Sequence, residues 1–177
     1  MTITGGNAFE SGSRKVILAV LIYARSAGKI LMVHRNAAES LGDYHAGKWN
    51  GLGGKLEVDE SPRAAARREF LEECGLDLPE DSFQTLGWLQ FPNFKAHKAE
   101  DWFVVVFVVD LASEFILRKL RGPEGELHWI PEGDLLSLNL WPGDFHFIPF
   151  IQKRIQFSGT IWYEGLEVKR VELRPHR

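Results

Sequence analysis

Apolar positions along the 177-residue chain fall into short runs broken by glycine, proline and small polar residues. Val16 to Tyr23 is apolar and β-branched at several positions, which predicts a buried strand. Ala27-Gly28 turns it into a second strand, Lys29 to Val33, so the two predict a hairpin. Asn36 to Trp49 has no period and reads as a loop leading into the glycine-rich stretch Asn50 to Gly54. Thr85 to Phe91 and Trp102 to Leu111 predict strands, the second so continuously apolar that both its faces should be buried. Leu127 to Ile130 predicts a short strand, and Thr160 to Tyr163 with Glu167 to Leu173 a last pair around Glu164-Gly165.

Two stretches predict helices. The first is bounded by Ser61, which can accept from free backbone N–H groups, Pro62, which suits the first helical position, and Gly75, which suits the left-handed residue past the end. The second runs from Phe145 to Gln156, with Asp144 as its cap and Pro149 near its first turn. Strands mixed with helices, and several hairpins, predict an α/β fold: a mixed sheet with helices packed on it. Residues 1–13 are small, polar and expected to be flexible, leaving 14–177 as one domain without repeat or linker.

Composition narrows the function. The content is 45% hydrophobic and 25% charged, ordinary for a soluble globular protein. A formal net charge of −3 provides no polycation to bind DNA or RNA, so no nucleic-acid partner is expected. Small anions stay open, since a basic pocket can hide in a near-neutral total. The one cysteine, Cys74, rules out an intrachain disulfide and suits a reducing compartment. With no secretory pattern and no apolar run near the ~20 residues of a membrane span, a cytoplasmic protein is expected. Monomer and homodimer are both open.

Chemistry concentrates on the first helix. Glu69, Glu72 and Glu73 stand at i, i+3 and i+4 and so share a face, although like charges at that spacing weaken a helix. Hard oxygen donors on a rigid element suit Mg²⁺ or Mn²⁺. Alone, the segment could equally be a solvated acidic face. Its flanks change that: Gly54-x5-Glu60-x7-Arg68-Glu69-Phe70-x-Glu72-Glu73-x-Gly75-Leu76 matches the Nudix box throughout. At ordinary residue frequencies the chance of such agreement is on the order of 10⁻⁸ per starting point. Gly53 and Gly54 let backbone approach a metal or phosphate. Arg68 has a planar fork to brace a carboxylate. Ala66, Phe70 and Cys74 recur every fourth residue and should pack inward, which makes Cys74 a core residue rather than a nucleophile.

The chain therefore resembles the Nudix hydrolases, whose fold is an α/β/α sandwich around a mixed sheet. The resemblance implies that Glu69 and Glu73 bind Mg²⁺, with Glu72 next and the Gly53 backbone assisting. Gly54, Glu60, Arg68 and Gly75 then support the site. It also implies hydrolysis of a phosphoanhydride, with a carboxylate accepting the proton of the attacking water. Glu73 is one candidate base. Gly47-Lys48-Trp49-Asn50-Gly51-Leu52-Gly53-Gly54-Lys55 and Trp141-Pro142-Gly143-Asp144 extend the likeness to the MutT-like branch that acts on oxidised purine nucleoside triphosphates. By that match Glu124 is a second candidate base or extra ligand, and a solvated loop charge otherwise.

The same match implies a purine pocket. Asn50 offers a donor and an acceptor, Trp141 a face for stacking, and Asp144 an acceptor for guanine N–H groups. Tyr44 and Phe147 match further aromatic positions. Arg35, Lys48 and Lys55 are candidates for the phosphate tail, each with an ordinary surface charge as its alternative, which is the safer reading for Lys48. Each has a plain alternative: a turn for Asn50, the core for Trp141, a helix cap for Asp144. Close relatives carry two adjacent aspartates after Trp-Pro, where this chain has Gly143 and Asp144. Guanine-type substrates such as dGTP and 8-oxo-dGTP, cleaved to monophosphate and pyrophosphate, are thus expected over oxidised adenines. The alternatives are a nucleotide sugar, a dinucleoside polyphosphate, an RNA 5′ end, isoprenoid isomerisation, for which Cys74 is poorly placed, or a non-catalytic nucleotide-binding module.

Overall fold

A computed structural model of the chain describes residues 14–35, 47–112, 121–122 and 124–176. The expected flexible residues 1–13 and the candidate Tyr44 lie outside the described residues. Among those described, one mixed sheet of nine strands is formed: β1 (Lys15–Ser26), β2 (Lys29–His34), β3 (Trp49–Asn50), β4 (Gln84–Lys95), β5 (Glu100–Asp110), β6 (Arg121–Gly122), β7 (Gly125–Pro131), β8 (Phe157–Glu164) and β9 (Glu167–Pro175). Their order is β6-β7-β2-β1-β5-β4-β8-β9, with β3 on β2. The β1–β5 and β4–β8 pairs are parallel and the rest antiparallel. Two helices flank the sheet, α1 (Pro62–Cys74) and α2 (Asp144–Lys153).

The period of two along β1 divides the interior. Ala19 and Tyr23 face a core shared with Phe147, Ile148 and Ile151 of α2. Val20, Ile22 and Ala24 face a second core with Ala65, Ala66, Phe70 and Cys74 of α1. β5 splits the same way, Val104, Val106 and Val108 on one side and Phe107 and Val109 on the other, as its unbroken apolar run implied.

The β1–β2 hairpin is a fork. The two strands pair only beside the turn, Arg25 with Ile30 and Ser26 with Lys29. Beyond it they separate, and residues 51–56 fill the gap. Ile22 N–H donates to Leu52 O at 2.7 Å, Val20 N–H to Gly54 O at 2.9 Å, and Leu56 N–H to Leu18 O at 3.0 Å. Gly53 sits in this seam with φ 137°, and an added Cβ would collide with Val20 O, so only glycine fits.

Several elements depart from their expected limits: α2 ends at Lys153 rather than Gln156, β8 begins at Phe157 rather than Thr160, and two departures bear on the site. β4 does not stop at Phe91: after a bulge containing Pro92 it resumes pairing at Lys95 with Glu100. Proline donates no ladder bond and is tolerated at such a bulge. The second helix starts one residue early, with Gly143 at its N-cap and no side-chain capping bond. Asp144 is its first helical residue rather than its cap, and Pro149 lies in its interior. Among the described residues no helix is long and apolar enough to cross a membrane.

Candidate active site

The acidic helix is built as its punctuation implied. Ser61 Oγ accepts from Ala64 N–H at 3.1 Å, Pro62 opens the helix, and Gly75 leaves it left-handed with its N–H on Leu71 O at 2.9 Å. Cys74 is fully buried with Sγ 2.9 Å from Phe70 O, a core residue.

Arg68 organises the carboxylates around it. Its Nε and Nη2 donate to the two oxygens of Glu60, each at 2.9 Å, its Nη1 to Glu69 at 2.8 Å, and its Nη2 also to Lys55 O at 3.0 Å. Glu72, half exposed, lies 3.5 Å from Nη1. Hydrogen bonds from Arg68 hold Glu60 below the usual carboxylate range. Gly54 packs against Glu69 so closely that any Cβ would strike its carboxylate.

Glu73 turns inward. It is 2% exposed, and its Oε2 accepts from Gly53 N–H at 2.9 Å while Oε1 has no hydrogen-bond partner. Burial pushes its proton affinity well up, the charge of Glu124 adds to this, and the Gly53 N–H opposes it. Burial also raises Glu69, against the pull of Arg68. Glu124 reaches this cluster because the β6–β7 turn lies on α1: a Cβ at Gly122 would stand 2.9 Å from Glu73 O. Glu124 is ion-paired with Arg35.

Glu69, Glu73 and Glu124, one with an orphaned buried oxygen, are a hard-oxygen donor set suited to Mg²⁺ or Mn²⁺, and the charge of Glu124 raises the other two. Among the described residues, no three His, Cys, Asp or Glu side chains are gathered closely enough to hold an ion by themselves. Arg68, Arg35 and Gly53 N–H each hold one carboxylate apart. Water and substrate phosphate complete the shell that Mg²⁺ normally keeps.

A cavity of 520 Å³ runs from this cluster along the sheet. Glu69, Glu124, Arg35, Arg68, Gly53 and Lys55 line one end. Asn50, Trp141 and Asp144 line the other, so these sequence candidates share one space with the box. Phe147 does not line it. Its ring is fully buried between Tyr23, Phe91 and Phe157, because its position on α2 points at the sheet. Glu72 and Glu73 are not cavity-lining either. Lys48 holds Asn139 Oδ1 and Leu140 O, both at 2.9 Å, and so fastens the chain before Trp141.

Sequence reasoning did not name five further residues that line the cavity: Phe91, Phe94, Lys95, Trp102 and Tyr163. Phe94 meets Trp141 and Tyr163 edge-on at 5.4 Å each. Lys95 and Lys55 stand over the Trp102 ring at 4.8 and 5.5 Å. Burial lowers Lys95, and the charges of Lys98, Lys55 and Arg35 lower it further. A usable signal existed in the aromatic residues at 91, 94 and 102, but the bulge that aligns them is invisible in a period-two reading.

Asp144 is the buried acid of this end. It is 6% exposed, its Oδ2 lacks a hydrogen-bond partner, and burial pushes it up to about 8 against the pull of Lys48. Tyr23, fully buried with an unpartnered hydroxyl, is raised by burial and by the nearby charge of Asp144.

Residues 13–151 match the NUDIX domain. An oxidized purine nucleoside triphosphate hydrolase of Danio rerio is 26% identical over 151 residues, covering 85% of this chain and 89% of the relative. The Mus musculus protein of that name is 28% identical, covering 68% and 73%. The MutT protein of Bacillus halodurans shares the fold with a TM-score of 0.73 at 20% identity, covering 89% of this chain and 97% of that one. The chain belongs to the Nudix family and folds as its α/β/α sandwich. Within that family it is a MutT-like hydrolase.

Proposed function

We propose that the protein is a Mg²⁺-dependent pyrophosphohydrolase of purine nucleoside triphosphates, with dGTP and 8-oxo-dGTP as preferred substrates. The observation that carries this reading is one cavity with a carboxylate and cation end and an aromatic end that holds Asn50 and Asp144. The two relatives named oxidized purine nucleoside triphosphate hydrolase support the substrate class. A cytoplasmic setting, where such nucleotides are found, belongs to the same reading.

In this reading the base stacks on Trp141, with Asn50 and Asp144 at its edge. Arg35 and Lys55 meet the phosphate tail, and Lys95 adds a third cation. Glu69 and Glu73 would hold the metal, joined by Glu72 and Glu124. When bound, a divalent ion neutralises phosphate oxygens and polarises the phosphorus under attack. A water oxygen bonds to phosphorus, the bridging P–O bond breaks, and a carboxylate takes the water's proton. Glu124 is the better placed acceptor because it lines the cavity while Glu73 is sealed behind Gly53. The products are the monophosphate and pyrophosphate.

A panel of dGTP, 8-oxo-dGTP, 2-oxo-dATP, ADP-ribose and a diadenosine polyphosphate, with Mg²⁺ and product identification, tests this. The guanine nucleotides should lead. If ADP-ribose leads, the base assignments fail and the hydrolase class stands.

A further inference from the structure

The floor of the aromatic end contains a contact between Gly143 and Tyr163. Gly143 N–H donates to the Tyr163 hydroxyl oxygen at 2.8 Å. That oxygen also occupies the space a Cβ at position 143 would need, with Cζ of the ring 3.2 Å from it. Gly143 has φ −67° and ψ −30°, a conformation open to any L-residue. Glycine here answers a demand for space, set first by the tyrosine hydroxyl, rather than a demand of the backbone.

Tyr163 and Asp144 both line the cavity, and Asp144 directly follows Gly143. The Tyr163 ring packs against Phe94 at 5.4 Å and Phe91 at 6.3 Å, and the Gly143 N–H holds its hydroxyl. A phenol has one hydrogen to give. A 6-oxo purine presents an acceptor at that edge, whereas a 6-amino purine presents N–H donors to an oxygen that already accepts one.

We propose that Tyr163 is a specificity-determining residue: its hydroxyl, set in place by Gly143 N–H, donates to the 6-oxo oxygen of the base while Asp144 takes the adjacent N–H groups. The proposal rests on the purine nucleotide reading above. Sites built to hydrogen-bond a substrate group discriminate strongly against analogues that lack it, because their own polar groups are left unpaired.

The test compares kcat/KM for dGTP with that for the triphosphate of 2-aminopurine deoxyriboside, which keeps the 2-amino group and lacks the 6-oxo group. Tyr163→Phe should lower the value for dGTP at least tenfold more than that for the analogue. Equal losses on both nucleotides overturn the base contact. A thermal cycle of Gly143→Ala, Tyr163→Phe and the double variant reads the contact without any substrate. Gly143→Ala should lower Tm, and Tyr163→Phe should recover most of that loss, since the new methyl then meets only a ring edge. Strictly additive changes in Tm overturn the coupling. A wild type inactive on both nucleotides overturns the purine reading itself, whatever the thermal cycle gives.

Discussion

Arg68 grips Glu60 with two parallel hydrogen bonds of 2.9 Å and thereby ties the loop before α1 to the helix that carries Glu69. Arg68→Lys keeps the charge and loses the fork. Stability should fall by about 1–3 kcal/mol, the usual worth of hydrogen bonds to charged groups, in a urea melt. The kcat should fall at least tenfold, because Glu69 loses its brace. Reduced stability with an intact kcat would show that Arg68 supports the fold alone.

Gly54→Ala tests the close approach of the glycine seam to the helix. The new methyl strikes the Glu69 carboxylate, the mobile end of a side chain, so Glu69 should swing away while the fold survives. Activity should drop on the order of 100-fold, as for loss of one preorganised electrostatic group, with a small change in Tm. A variant with near-normal turnover would remove Glu69 from the metal assignment.

Glu73→Gln keeps an acceptor for Gly53 N–H and removes a buried charge. The metal-free variant should melt no lower than wild type. Its turnover with Mg²⁺ should be lost, and the rise in Tm that Mg²⁺ gives the wild type should shrink. Chelation by EDTA should silence the wild type reversibly. Retained turnover in the variant sinks the role given to Glu73.

Asp144 links pH to stability and, in the proposed base pocket, to binding. Its folded-state value of about 8 exceeds the ordinary 3.8 because of burial. Below 3.8 the group is neutral in both states and costs nothing. As pH rises from 3.8 to about 8 only the unfolded chain ionises, so stability falls through that window and levels off above it. Asp144→Asn should flatten this slope and melt higher than wild type near pH 8, as followed by Tm against pH. The KM for dGTP should fall as pH rises through about 8, where Asp144 becomes a carboxylate acceptor, and the variant should lack this change.

The limits of α1, the two-sided burial of β5 and the box itself were legible because each rests on local signals: Ser61, Pro62 and Gly75, a run of valines, a fixed spacing. Asn50, Trp141, Asp144, Arg35 and Lys55 were named through resemblance, and all five line the cavity. Tertiary geometry withheld the rest. The predicted strand ended at Phe91, yet a bulge carried β4 onward and delivered Phe94 and Lys95. Asp144 looked like a cap until Gly143 took that place and left the acid buried. Phe147 is aromatic at a fitting position, but its side of α2 faces the sheet.

The two cores on opposite faces of β1 bear on how this protein can change over evolutionary time. The Nudix-box helix is rooted in one, and Phe91 and Tyr163 of the aromatic wall in the other. Mutations that remodel the wall need not disturb the packing of α1. Such a chassis can reshape the aromatic end of its cavity by drift in β4, β8 and α2 while the box helix is inherited unaltered.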